Sequence, residues 1–255
     1  MLLFLTVFMY LFIAPIASAQ DCAAYYMVLD EAINYNYLIA VDSSTNGNNG
    51  TCTSSNILAL SGADWEGNFD GTNYISVADS TSLDFAGASK MSVAVWIYPT
   101  DLTDINSFAG LVVKGGYGPN SGFELFQNVD RPQWGGGIGC ICFNLYRDQI
   151  WTETVPPINT WTHIAACNDG STSYIYVNGT QDVSAAASTY IDNNLSLFIG
   201  QRDPATARAT KFKGKMDDAI LWDSCLTSNQ VYNLAQGSMP TNIPVLIFRF
   251  IPEEL

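Results

Sequence analysis

Few residues in this chain could do chemistry, and their spacing narrows what that chemistry is. His163 is the single histidine. It sits in the apolar run Trp161-Thr162-His163-Ile164-Ala165 with no serine or cysteine beside it to activate, a setting that favours a hydrogen-bonded core imidazole over a general base. Cleaving a glycosidic bond takes two carboxylates about 5–10 Å apart, which on a strand means acids two positions apart. The spacing Glu-x-Asp-x-x-Glu does not occur: Glu124 stands alone between Phe123 and Leu125, Glu153 runs into Thr154 and prolines, and Asp217 and Asp218 are adjacent. The expected catalytic set is therefore none, and the chain reads as a non-enzyme.

Binding chemistry has more candidates. Calcium wants six or more oxygens, and the stretch from Asp42 to Asn49 offers a carboxylate, hydroxyls, amides and carbonyls freed by glycine. Asp42 and Asn46 are the ligands expected there, with Asp217 and Asp218 as a second source. Neighbouring strand residues face opposite sides, so only one of the Asp pair is expected to reach a given ion. The plain alternative is that Asp42 and Asn46 build Asx turns and the Asp pair lines a solvated strand end. Stacking on a sugar needs an exposed ring beside polar groups, and the candidates are Trp134 ahead of three glycines, Tyr146 in a turn, and Trp151. Trp96, Trp161 and Trp222 read as core. Asn49-Gly50-Thr51, Asn178-Gly179-Thr180 and Asn194-Leu195-Ser196 are acceptor sequons for N-glycans.

The compartment follows from the amino terminus and the cysteines. Residues 1–19 form an apolar run ending in Ala17-Ser18-Ala19, small residues at the spacing of a cleaved secretory signal, so residues 20–255 are read as one exported domain. The remaining 236 residues are enough for one large β core. Lys and Arg number 10 against 24 Asp and Glu, a net charge of −14. That charge repels phosphate backbones and anionic lipid, so nucleic acid and membrane insertion are set aside while sugars, cations and extracellular proteins stay open. An oligomer is compatible with this reading. All six cysteines follow the signal, and an even number in an exported chain reads as disulfides. Cys140 and Cys142 share one side of a strand, where a direct bond has poor geometry. Each then reaches another segment, and the pair taken forward is Cys142 with Cys167.

These groups must be held by strands. From Asn73 onward the chain alternates short apolar runs with Gly, Asn, Asp and Pro, the pattern of a sandwich or barrel. Strands are predicted over 74–77, 91–98, 110–114, 122–127, 138–146, 161–167, 172–177, 195–199 and 213–222. Asp169-Gly170 and Asn178-Gly179 read as tight hairpin turns. Residues 42–56 read as loop. Thr227-Ser228-Asn229-Gln230 has capping-box spacing, with Val231 and Leu234 apolar and Gly237 at the C-terminal cap, so one short helix is expected to cover the sandwich edge.

Several of these segments, in order, resemble the concanavalin A-like sandwiches of the laminin-G-like and pentraxin families. Asn68-Phe69-Asp70-Gly71, Ser92 to Pro99 (SVAVWIYP), Trp161 to Ala165, Ser173 to Thr180 (SYIYVNGT) and Phe212 to Trp222 (FKGKMDDAILW) carry the laminin-G-like pattern over residues 40–240. Trp222-Asp223-Ser224, Gln236-Gly237 and Pro240 to Ile243 are similar to the tail of pentraxins. The resemblance implies an all-β, two-sheet antiparallel jelly-roll sandwich with one short C-terminal helix. It also implies a disulfide near Ala94 and Ala165, which alanine forbids. The acid-rich calcium loop it implies reads here as Gln201-Arg202-Asp203 followed by Arg208 and Lys211, so the double calcium site of pentraxins is expected to be lost.

The function expected is a secreted recognition module that binds glycan or an extracellular protein, with calcium shaping its loops. A structural or adhesive matrix component is the competing class, and a degenerate glycoside hydrolase the third.

Overall fold

The protein is described by a computed structural model covering residues 39–54, 57–61, 64–85, 90–102, 108–115, 122–128, 137–145, 148–187, 192–202, 209–242 and 244–248. The signal segment, Cys22, Trp134 and Tyr146 lie outside these residues. In chain order the strands begin with Ile39–Ala40 (β1), Gly50–Cys52 (β2), Leu58–Ser61 (β3), Asp64–Asp70 (β4), Ile75–Val77 (β5), Met91–Pro99 (β6), Phe108–Lys114 (β7), Phe123–Asn128 (β8) and Ile141–Leu145 (β9). Then come Asp148–Trp151 (β10), Thr162–Asn168 (β11), Thr172–Val177 (β12), Thr180–Ala186 (β13), Leu197–Ile199 (β14), Ala209–Lys211 (β15), Lys213–Trp222 (β16), the helix Ser228–Ala235 (α1) and Leu246–Phe248 (β17).

The strands form two sheets. The first runs β1-β2-β5-β14-β7-β8-β9-β10, with β15 beside β7; the second runs β13-β12-β11-β6-β16-β4-β3, with β17 beside β16. Among the described residues every pairing is antiparallel except β15 with β7. The alternation seen in the sequence builds the interior: Val93, Val95 and Ile97 of β6 and Ile164 and Ala166 of β11 meet Leu125, Phe143 and Ile199 of the other sheet in one buried cluster. Each large side chain so buried contributes about 1.5–3 kcal/mol. The result is the two-layer jelly-roll sandwich expected from the sequence.

The helix starts as predicted. Gln230 N–H donates to Thr227 Oγ1 at 3.3 Å and Thr227 N–H to Gln230 Oε1 at 2.9 Å, closing the capping box. Gly237, at φ 85°, ends it by donating to the Leu234 carbonyl. It covers a face and not an edge: Val231 and Leu234 pack on Ala94, Ala165 and Trp222, on the outer side of the second sheet. Ala94 and Ala165 are direct cross-strand partners, so where the resemblance implied a bridge this chain seats a helix on two small residues. Two further expectations are corrected. The stretch read as loop contains β2, which pairs with β5 through backbone alone. The strand β13 was not anticipated because its sequence TQDVSAA is an exposed edge with no alternation to read.

Candidate functional site

The part of the second sheet's outer face that the helix leaves open sets aromatic rings beside two adjacent acids. It is built from β6, β11 and β16, the sheet's central strands. Trp96 lies opposite His163 on β11 and opposite Asp217 on β16. Tyr98, two residues on, lies opposite Lys215. Because Val95 and Ile97 point inward, Trp96 and Tyr98 must point outward. Trp161, just before β11, packs on Tyr98 with ring centroids 5.5 Å apart, and the Trp96 and His163 rings meet edge-on at 5.2 Å. An open cleft of about 250 Å³ is lined by Trp96, Trp161, Asp217 and Asp218.

That both acids line one cleft corrects the expectation that strand alternation would separate them. The register slips between Asp217 and Ile220, so Asp218 and Ala219 together oppose Val95 alone, a β-bulge. Asp218 takes the left-handed conformation, φ 46°, and its N–H donates to Asp217 Oδ1 at 2.7 Å. Left-handed backbone outside glycine costs about 1–3 kcal/mol and collects at functional sites. The bulge also sits where β16 exchanges one neighbour for another: β4 pairs with it up to Met216 and β17 from Ala219. Lys215, the nearest cation on the strand, is paired with Glu66 and lies 5.6 Å over the Tyr98 ring.

His163 lies beneath this surface with 1 % of its area exposed. Burial pulls its imidazole down to about 4, so the ring is neutral at ordinary pH. The placement matches the core histidine expected, although Nδ1 has no hydrogen-bond partner among the described residues.

The other predicted site residues fall elsewhere. Asp42 is a buried staple: its carboxylate accepts from Ser44 N–H, Ser44 Oγ, Asn48 N–H and Ile247 N–H, all within 2.9 Å. Asn46 and Asn48 donate their side-chain amides to the Val245 carbonyl at 3.0 Å. Four donors thus occupy the Asp42 carboxylate, and Asn46 donates its amide to the same turn, an arrangement that fits the Asx-turn alternative. Among the described residues no three acidic, histidine or cysteine side chains gather as a metal site. Trp151 lies on the first sheet's outer face, edge-on to Phe126 at 5.5 Å, in a small cluster with Phe108 and Cys142. Arg202 covers Phe108 and Phe126 and makes a two-pronged bond to Glu124, Nε to Oε1 at 2.6 Å and NH2 to Oε2 at 2.9 Å. Glu124 is thus committed to an internal ion pair. The expected Cys142–Cys167 bridge is overturned, because Cys142 faces out from the first sheet and Cys167 out from the second, with the whole interior between them. The sequon residues Asn49, Asn178 and Asn194 are all exposed. Among the described residues no helix is long and apolar enough to cross a membrane.

Known proteins carry the same architecture. The pattern of the concanavalin A-like lectin/glucanases superfamily matches residues 69–232, well over half of the chain. The chain belongs to the concanavalin A-like lectin/glucanases superfamily. No curated protein matches it. Among solved structures, it is similar to domain 4 of an extracellular GH43 arabinanase from Geobacillus stearothermophilus, solved in complex with arabinotriose, at 22 % identity and TM-score 0.55, over 78 % of this chain and 98 % of that one. A protein from Bacteroides ovatus assigned a carbohydrate-binding role matches at 19 % identity and TM-score 0.58, over 72 % of this chain; the match spans half of that protein's length. A heptameric pentraxin from Limulus polyphemus matches at 16 % identity and TM-score 0.51, over 76 % and 92 % of the two chains. At these identities the likeness is one of fold.

Trp96 and Trp161 are the residues that sequence reasoning missed by assigning them to the core. The signal was present for Trp96, which alternates with Val95 and Ile97 and so cannot share their side.

Proposed function

We propose that this chain is an exported, non-catalytic recognition module that binds glycan in the cleft of Trp96, Trp161, Asp217 and Asp218. One observation carries the reading: two indoles and two carboxylates line the same opening because a bulge turns adjacent acids toward it. Indole rings stack on the apolar faces of sugars, and carboxylates accept from their hydroxyls. Two carboxylates at the opening, on a chain of net charge −14, favour neutral or amino sugars over acidic ones. The cleft is smaller than the roughly 300 Å³ at which pockets for larger ligands begin, which suits one or two rings. The arabinotriose-bound domain among the structural relatives supports the same reading. Calcium has weaker support, since two carboxylates fall short of the six or more oxygens it takes.

An oligosaccharide panel followed by calorimetry tests this. The wild type is expected to bind at least one neutral or amino glycan and to keep binding in chelator. Trp161→Ala should weaken it by about tenfold or more, while Trp151→Ala should leave it unchanged. Silence of the wild type across the panel, with and without calcium, would overturn the proposal.

A further inference from the structure

Cys167 and Cys225 stand far apart in sequence and are brought together by strand pairing. Cys167 on β11 is the cross-strand partner of Ser92 on β6. Ser92 Oγ donates to the Ser224 carbonyl at 2.8 Å and accepts from Leu226 N–H at 2.9 Å. The backbone on both sides of Cys225 is thereby fixed to the residue facing Cys167. The two side chains share an apolar cluster with Tyr174, Trp222 and Leu226, and each thiol perturbs the other's proton affinity. Cys167 is fully buried and Cys225 half-buried, so only one of the pair is within reach of a reagent.

We propose that Cys167 and Cys225 form the disulfide that ties β11 to the segment between β16 and α1, made by exchange with a thiol–disulfide oxidant. Cys225, as thiolate, attacks a sulfur of the oxidant's disulfide, giving a mixed disulfide and releasing one thiol. Cys167 then gives up its proton and attacks the Cys225 sulfur, releasing the second thiol. Two protein S–H bonds are lost, one S–S bond forms, and the oxidant's disulfide is reduced to two thiols. The Cys167 thiol holds the Cys225 thiol below its ordinary range, which suits Cys225 as the attacking group. The bond would lock the helix lead-in over the outer face of the second sheet, beside the open cleft. Cys142 lies behind the interior and cannot compete for Cys167.

The test is equilibration of the full-length purified chain with oxidised glutathione, alkylation in denaturant, and proteolytic mapping by mass spectrometry. A peptide joining Cys167 to Cys225, lost on reduction, is expected. Reduction should also lower Tm by roughly 10 °C, as chain-entropy accounting gives for a long loop. In Cys225→Ala, which removes the reachable sulfur, Cys167 should become alkylatable once the chain is denatured. Both sulfurs alkylated in the oxidised wild type, or Cys167 joined to any other cysteine, would overturn the assignment.

Discussion

Both sheets carry rings and carboxylates on their outer faces, and the two faces use them in opposite ways. On the first sheet Arg202 closes over the rings of Phe108 and Phe126 and grips Glu124, leaving that acid with no exposed surface. On the second, Lys215 is drawn off to Glu66 and Tyr98, and the acids beside Trp96 and Trp161 line an opening. The same residue types make an internal brace in one place and the lining of an open cleft in the other. The nearby cations take different partners: Arg202 holds the acid among the rings, Glu124, whereas Lys215 holds Glu66.

The largest way to break this contrast is Arg202→Met, which strands a buried carboxylate. A loss of about 3–5 kcal/mol in urea unfolding is expected, and the double change with Glu124→Gln should lose less. A single variant within 1 kcal/mol of wild type would mean that the first face is not closed by this pair. Next in size is the pH profile of the second face. The unfolded chain protonates His163 near 6.5, while the folded imidazole resists until about 4. Between those values the unfolded state binds more protons, so stability falls as pH drops through this window, by roughly 3 kcal/mol at its lower end. His163→Gln should flatten that part of the curve in unfolding measured from pH 7 to 4. An unchanged slope would show that the imidazole is solvated. Smallest is Asp218→Gly, which relieves left-handed strain and should gain up to about 1 kcal/mol while weakening glycan binding several-fold. A loss of stability there would remove strain from the description of the bulge.

Much of the architecture was readable from residue order. The strands β12 and β16 match their predicted bounds, and the Thr227 capping box fixed the start of α1, because alternation and capping are local. The cleft was only half readable. Asp217 and Asp218 stood out, but a bulge has no signature in two adjacent aspartates, so their shared direction could not be foreseen. Trp96 could be placed on the outer side by alternation, yet whether that side is covered depends on how far α1 reaches, a tertiary matter. The Cys142–Cys167 pairing failed for a similar reason: strand alternation gives a side, and only the packing of the two layers shows that the sides oppose.

The Asp42 staple has a mechanical meaning. Ile247 N–H bonds the Asp42 carboxylate, Ser43 N–H bonds the Ile247 carbonyl, and the Val245 carbonyl receives Asn46 and Asn48, so the two extremities of the sandwich are buckled to each other. Tension between the segments before Ile39 and after Phe248 would meet this buckle first, one bond after another, before any load crossed the layers. Because β17 runs beside Ala219, the first strand to peel would be the one that borders the bulge.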